Sequence, residues 1–546
     1  MDHLEDKQAG TRDEIVDEPR SAGIAPARRL AFSAFFFSVA TGLSRIAGLI
    51  REIVAASYFG VTGVASAFTT AFLIPNMIRS LFADAALQAA FVPVFTELID
   101  RGERREAFRL ASTLFYLMLL VLGAITALFV LLAPWVTPLF APGYSPQLME
   151  MTVGLSRVLF PIVLLLGLTG LFVGMLNAFD HFEIPAIAPL FWNIAIIAAI
   201  VGLVPVFPED DQIYAYAIGV LFGTLIQMLM PLPLLKKRAG GERFGRSFDW
   251  RDPNIRKVLL LMLPVMLALG LINVNLVING AVGSLVSERA PAAIDKAFRV
   301  YMLPQGMFSV AIATILFPTL SRFAARRDFA SLRASMANGI RQMFLLLTPA
   351  AAATAVLAAP IVRLIYERGV FDAAATDLVA EALFWFSFSL PFSGANLLYA
   401  RTFFALQRPW FTTLISVGNL AVNIVLALLL YKPFGVGGIV AATGVATIAM
   451  ALAQALYLRP ALGGIEGRDT VVAVTKMLAA SLLLAAVSYG VWLGLDDVLG
   501  RELWAQVVSL GVALVVGATV YAATVYALGI AEARQITALV AGRLRR

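Results

Sequence analysis

The sequence predicts an all-α polytopic membrane protein with about fourteen transmembrane helices, arranged as two parallel six-helix bundles plus two extra C-terminal helices. The first observation is composition: 60% of the 546 residues are hydrophobic and 14% are charged, whereas soluble domains carry roughly 25% charged residues. The second is that apolar runs long enough to cross a bilayer alternate with turn or charge clusters along the chain. The third is an internal repeat.

The apolar runs are delimited by breaks at charged or turn-forming residues. A hydrocarbon core about 30 Å thick needs roughly 20 apolar residues per helix. The candidate spans are 31–59, 66–98, 107–134, 148–177, 184–206, 212–235, 256–286, 292–321, 333–359, 375–405, 410–431, 437–458, 472–494 and 503–529.

Lys and Arg residues are concentrated in alternate loops, and the positive-inside rule then places both termini in the cytoplasm. No loop between spans is long enough for a soluble catalytic domain, so we do not expect an enzyme. The predicted organisation is a disordered cytoplasmic tail (1–28), an N-terminal six-helix bundle (29–238), a cytoplasmic basic linker (239–255), a C-terminal six-helix bundle (256–459), transmembrane helices 13 and 14 (470–530) and a basic cytoplasmic tail (531–546).

The repeat relates the two halves at offsets of 224 to 229 residues. Leu73-Ile-Pro75-Asn76 recurs as Met302-Leu-Pro304-Gln305, and Asn193 recurs as Asn419. A shift of six spans is even, so the halves lie parallel about an axis along the membrane normal. Two bundles around a central cavity favour a transporter that rocks between two open states.

Other residue counts exclude several functional classes. The chain has no cysteine and two histidines, so we expect no disulfide, no metal site and no bound cofactor. The net charge of +7 follows from the basic loops and does not indicate nucleic acid.

Charged residues inside the predicted spans are the candidate functional residues. Each Arg at the bilayer centre costs roughly 2.5 to 3.5 kcal/mol, so these side chains should face an interior cavity. Cations in such a cavity attract anions, and the Arg fork matches phosphate oxygens. The predicted substrate contacts are Arg45, Arg51, Arg79 and Arg299. The predicted supporting ion pairs or hinges are Glu52, Asp84, Asp295, Pro75, Asn76 and Pro304.

For any one of these arginines, snorkelling to a headgroup or a structural ion pair remains an alternative. An inside-negative potential would favour export of an anionic headgroup. Coupling to that potential or to an ion is left unassigned.

The N-terminal spans contain a series of short motifs that occur together. They are Ser44-Arg45-Ile-Ala-Gly48, Arg51-Glu52, Phe59-Gly60, Ala67-Phe68, Phe72-Leu-Ile-Pro75-Asn76-Met-Ile-Arg79, Leu81-Phe82-Ala83-Asp84 and Phe91-Val-Pro93. The C-terminal half adds Leu303-Pro304-Gln305-Gly306 and Tyr366-Glu-Arg-Gly369. Together these motifs resemble the signature of the MurJ (MviN) lipid II flippases, within the multidrug/oligosaccharidyl-lipid/polysaccharide exporter superfamily.

The resemblance implies export of lipid II, the undecaprenyl-diphosphate-linked peptidoglycan precursor, from the inner to the outer leaflet by alternating access. It implies that Arg45, Arg51, Arg79 and Arg299 line a cationic central cavity and that spans 13 and 14 form a groove for the lipid tail. It also implies a bacterial cytoplasmic (inner) membrane location and a role in cell-wall biogenesis and cell shape. Membrane lipids and cell-wall synthesis proteins are the expected partners.

The sequence departs from the family pattern at three positions. Ser66 stands where an Asp is usual, Asp84 replaces a Glu and Ala85 replaces a Gly. Spans 7, 11 and 12 carry no Asp or Glu, although some relatives are thought to bind sodium there, so the coupling ion stays open.

Four alternatives remain at this stage. The substrate could be another undecaprenyl-diphosphate-linked oligosaccharide, or the chain could be a non-transporting cell-wall scaffold. A multidrug–cation exporter should carry acidic residues where arginines dominate here. A membrane enzyme should carry positioned carboxylates on sizeable loops.

Overall fold

The computed structural model describes residues 24–82, 85–238, 248–249 and 251–534. Within that range, the side chains of 24–38, 79–82, 85–86, 88–89, 263–273 and 409 are not described. Four predicted features therefore lie outside the described residues: the tail over 1–23, Asp84, most of the basic linker (239–247 and 250) and the basic tail from 535 onward.

The described residues are mostly helical and form no strand. Short 3-10 turns and one π-helical segment join some of the helices. The α-helices are α1 (Ile24–Phe59), α2 (Gly63–Phe82), α3 (Ala85–Asp100), α4 (Arg104–Val136), α5 (Pro146–Leu159), α6 (Ile162–Ala178), α7 (Glu183–Leu203), α8 (Ile213–Leu229), α9 (Leu232–Arg238), α10 (Pro253–Val286), α11 (Ala290–Pro304), α12 (Val310–Ala325), α13 (Phe329–Val356), α14 (Ala358–Tyr366), α15 (Ala373–Ser387), α16 (Leu390–Ala405), α17 (Pro409–Ala461), α18 (Gly467–Leu499) and α19 (Leu503–Ala527).

Nine helical stretches in the described residues are apolar and long enough to cross a membrane, and the bent pair α15–α16 would make a tenth. The prediction of an all-α protein with many apolar helices is confirmed. The number fourteen stays a prediction. Some predicted spans are not counted among these stretches. One reason is charge, as in α1 with Arg45, Arg51 and Glu52; another is that a span adjoins residues that are not described.

The longest helix, α17, is two antiparallel helices that meet at Gly435. The Thr443 hydroxyl donates to Asn423 Oδ1 over 3.1 Å, yet 20 residues of straight helix would separate them by about 30 Å. The chain reverses at Gly435, where φ is 55° and ψ is −134°, a conformation open mainly to glycine. This reversal matches the predicted break between spans 11 and 12.

Polar contacts tie the N-terminal helices to one another. On α7, Asn193 Nδ2 donates to the Ser44 carbonyl of α1 over 3.3 Å. The neighbouring Trp192 Nε1 donates to Thr224 Oγ1 of α8 over 3.0 Å. Because buried polar groups need partners, these bonds fix how α1, α7 and α8 pack.

The C-terminal pair α18–α19 packs against α13 and is pinned there by charges. Arg341 of α13 pairs with Glu532 at 2.5 Å and with Glu466 at 3.1 Å. Glu466 precedes α18 and Glu532 follows α19, so one guanidinium holds both ends of the pair. Further along the pair, Tyr521 donates to the Leu345 carbonyl over 2.8 Å.

The two predicted proline hinges differ. Pro304 ends α11 and is followed directly by a π-helical segment, Gln305–Ser309. Such segments are rare and interrupt the regular hydrogen-bond ladder, so Pro304 marks a real irregularity. Pro75 lies inside α2, which continues through it.

Four hydrogen bonds join the N-terminal half (24–238) to the C-terminal half (253–461) at the end that carries the predicted external loops. We call this set of contacts the seal. Its bonds run from Val370 N to Ser57 O (2.8 Å), from Gly143 N to Ser284 Oγ (3.1 Å), from Ser145 N to Glu288 Oε1 (3.1 Å) and from Ala292 N to Ser66 Oγ (3.1 Å).

Candidate functional site: a charged cavity between the halves

A cavity of about 390 Å³ lies between the two halves next to the seal. Its walls come from α1, α2 and α8 on one side and from α10 and α11 on the other. The polar groups that line it are Glu52, Thr69, Asn76, Tyr216, Asp295, Lys296 and Arg299.

An ion-pair network crosses this cavity from one half to the other. Glu52 Oε1 on α1 accepts from Arg51 at 2.5 Å and lies 3.0 Å from Arg299 NH1 on α11. Arg299 also donates through Nε to Asp295 Oδ2, one helical turn earlier, over 2.7 Å. Each charge therefore has a partner, as charges removed from water require.

Arg51 is not among the residues that line the cavity, but it bonds Glu52, which does line it. Its side chain is buried, and the guanidinium lies over the Trp192 ring at 4.7 Å from the ring centroid. The stacking and the bond to Glu52 hold this cation behind the cavity wall.

Lys296 is a cavity residue that the sequence argument did not select. It is 7% exposed, lines the cavity and places Nζ 5.3 Å from the centroid of the Tyr366 ring. Its position three residues before Arg299, inside an apolar span, was a signal for it. The cavity region thus holds three cations, Arg51, Lys296 and Arg299, against the carboxylates Glu52 and Asp295.

The remaining wall is aromatic. The Phe68 and Tyr216 rings stack with centroids 3.9 Å apart, and the Phe59 ring is nearly parallel to Tyr216 with its centroid 6.1 Å away. The periodicity of the spans gave no indication that these rings would meet. They form an apolar surface beside the charges, so the cavity can contact both parts of an amphipathic ligand.

The other predicted site residues lie in different places. Asn76 lines the cavity. Arg45 lies on α1 with an exposed side chain and is not among the cavity-lining residues in this conformation. Arg79 lies on α2, and its side chain is outside the described set, as is Asp84.

Ser66, the departure from the family pattern, is a buried contact of the seal. Its side chain is inaccessible to solvent, and its hydroxyl accepts from Ala292 N in the first turn of α11. A hydroxyl oxygen is a good acceptor for such an otherwise unbonded N–H. The position thus keeps a polar link between the halves without a carboxylate.

Comparison with known proteins assigns the chain to a family. Residues 55–509 match the family described as "Lipid II flippase MurJ". A probable lipid II flippase MurJ of Rhizobium meliloti is 34% identical over 417 residues, which cover 75% of this chain and 77% of that protein. The lipid II flippase MurJ of Burkholderia cenocepacia is 31% identical over 416 residues, covering 76% and 80% of the two chains.

Solved structures give the same result at the level of the fold. A lipid II flippase MurJ in an inward closed conformation superposes with a TM-score of 0.73 at 24% identity, covering 89% of this chain and 98% of that one. An inward-facing transporter of the multidrug resistance MATE family superposes with a TM-score of 0.63 at 16% identity. On the family match and the relatives, this chain belongs to the MurJ family of lipid II flippases.

Proposed function

We propose that this protein exports lipid II from the inner to the outer leaflet of a bacterial inner membrane by alternating access through the charged cavity. Membership of the MurJ family supports this proposal, because the relatives are named lipid II flippases. A transporter also fits a multi-pass chain with short loops better than an enzyme does.

The observation that carries the proposal is the position of Arg299 between two carboxylates. Its guanidinium bonds Asp295 on its own helix and Glu52 on the opposite half. A diphosphate also offers pairs of anionic oxygens that a guanidinium can bind bidentately. It can therefore replace Glu52 as the partner of Arg299, with Lys296 nearby, so that no cation is left bare in a medium of low dielectric.

A second cavity could take the lipid tail. It is a groove of about 390 Å³ between α13, α16, α17 and α18, lined mostly by apolar side chains such as Phe344, Phe392, Leu452 and Leu478. An isoprenoid chain left in this groove would stay in an apolar environment while the headgroup occupies the charged cavity.

We propose the orientation given by the basic loops, with both termini in the cytoplasm. In that orientation the seal lies at the outer end of the cavity, and the proposed cycle loads substrate from the inside. The membrane potential, worth about 2.3 kcal/mol per charge at 100 mV, would then favour export of the anionic headgroup. Arg45 and Arg79 remain proposed headgroup contacts.

Complementation of a conditional flippase-depleted bacterium tests the proposal, with growth and outer-leaflet lipid II scored at matched expression. We expect the wild type to rescue, and Arg51→Ala, Arg299→Ala and Lys296→Ala to fail. The matched control is Arg157→Ala: this arginine also lies within a predicted span, but its Nε bonds the Val130 carbonyl away from the cavity. It should rescue.

Two outcomes would contradict the proposal. If the cavity variants rescue as well as the wild type, the cations are structural or the chain acts as a scaffold. If a well-expressed wild type does not rescue, another undecaprenyl-diphosphate-linked oligosaccharide becomes the better substrate.

A further inference from the structure

A third cavity, separate from the other two, opens on the side of the N-terminal half. It has a volume of about 1,080 Å³ and lies between α4 and α10, with Leu87 of α3 also in its wall. Its residues do not overlap with those of the charged cavity. We call it the α4–α10 groove. Its apolar lining consists of Leu87, Leu114, Leu117, Met118, Val121, Leu122, Ile255, Leu259, Leu260 and Met262.

The outer walls of the α4–α10 groove are exposed and apolar. Leu260 is 62% exposed and Val121 is 38% exposed. In a membrane these side chains face hydrocarbon, so the groove is continuous with the lipid phase. Its volume of about 1,080 Å³ slightly exceeds the roughly 300–1,000 Å³ typical of small-molecule sites, which leaves enough space for an acyl chain.

One end of the groove is basic. Arg251, Arg256 and Lys257 line it at the start of α10, where the helix dipole adds partial positive charge. Lys257 is held at 3.2 Å from Glu97, whereas the exposed Arg256 guanidinium has no ion-pair partner among the described residues.

Asp252, the acidic residue that lines this end of the groove, already has partners. Asp252 accepts from Asn254 N at 2.8 Å as the N-cap of α10, and its other oxygen lies 3.8 Å from Arg109. The buried carboxylate is thus directed to its own helix and to Arg109. The exposed charges at the mouth of the groove are mainly positive.

We propose that the α4–α10 groove binds an anionic phospholipid of the cytoplasmic leaflet, its acyl chain along α4 and α10 and its phosphate at Arg256. The charge pattern selects this occupant, because basic pockets between membrane helices on the cytoplasmic side recognise anionic headgroups. The proposal uses the orientation given above and does not depend on which lipid-linked glycan is transported.

Native mass spectrometry of the full chain in detergent tests the proposal, with phosphatidylglycerol and phosphatidylcholine as probes. We expect the wild type to retain phosphatidylglycerol preferentially. Arg256→Gln should weaken its binding about five-fold, the effect of one cation near a headgroup. Val121→Trp should weaken it by filling the groove without changing any charge.

Arg459→Gln is the matched control, because Arg459 is an exposed cation at the end of α17, away from the groove. It should bind like the wild type. The proposal is overturned if phosphatidylcholine binds as well as phosphatidylglycerol, or if both groove variants keep the wild-type preference. It is also overturned if an undecaprenyl diphosphate displaces the bound phospholipid, since the groove would then belong to the substrate.

Discussion

Glu52 accepts from Arg51 on its own helix and faces Arg299 on the opposite half, while Lys296 lines the same cavity. Three cations thus depend on two carboxylates, of which Glu52 is 7% exposed. Removing one partner from a buried charge network leaves the others uncompensated, and this costs more than the pair itself contributes.

We therefore expect Glu52→Gln to lower the free energy of unfolding by about 3 kcal/mol, measured by unfolding in mixed detergent–SDS micelles. Glu106→Gln is the control, because Glu106 pairs with Arg109 while both side chains are about two-fifths exposed. Exposed pairs contribute roughly 0–1 kcal/mol. Equal losses in the two variants would show that the Glu52 network is no more than a surface-type ion pair.

Some cavity residues could be predicted from the sequence because placing a charged side chain in a membrane costs free energy. Arg51, Glu52, Asp295 and Arg299 were selected because they interrupt apolar spans, and the structure brings all four together. The pairing of Glu52 with Arg299 could not be predicted, since their helices are distant in sequence. Nor could the contact between Ser66 and Ala292, because a small hydroxyl in an apolar span carries no comparable signal.

Among the elements, α17 depends most on one backbone conformation. Gly435 has a positive φ at the reversal between two antiparallel helices. The Asn423 amide, bonded to Asn279 and to Thr443, joins these helices to α10. A shift at the reversal would move these partners apart.

Gly435→Ala should lower the free energy of unfolding by about 1–3 kcal/mol, because L residues are strained at this φ and ψ. Thermal denaturation in detergent would measure the change. Gly418→Ala is the matched control in the same element: a Cβ there has nothing within 4 Å, and Ala is favoured over Gly in a helix by roughly 1 kcal/mol. Destabilisation by both substitutions would argue against a specific role for the reversal.

Element positions were more predictable than their irregularities. Hydropathy placed the break between spans 410–431 and 437–458, next to Gly435. A kink or hinge was expected at Pro304, inside span 292–321, because proline interrupts the helix hydrogen-bond ladder. Hydropathy gave no indication that Pro304 would lead into a π-helical segment. That geometry depends on packing against neighbouring helices, which a single-sequence pattern does not contain.

At the scale of the whole molecule, the seal joins the halves at the end of the charged cavity that carries the predicted external loops. Alternating access requires these contacts to break in each cycle. The chain has no cysteine, so introduced pairs can be cross-linked without background.

We expect Ser57→Cys with Val370→Cys to abolish transport on oxidation and to recover it on reduction. The Val370 N–H lies 2.8 Å from the Ser57 carbonyl, which brings the two backbones within disulfide range. Export of lipid II in cells or vesicles is the measurement, and each single-cysteine variant is a control. Unchanged transport in the fully cross-linked protein would mean that the seal does not open during the cycle.

The bond between Glu52 and Arg299 crosses the two halves, and this has a thermodynamic consequence. In the proposed cycle, a headgroup that takes Arg299 from Glu52 fills the cavity and also removes a link between the halves, so substrate binding and release of that link are one event. By linkage, if headgroup binding favours opening of the seal, opening the seal raises the affinity for the headgroup by the same factor. Without a headgroup, the Glu52–Arg299 pair keeps this link between the halves in place.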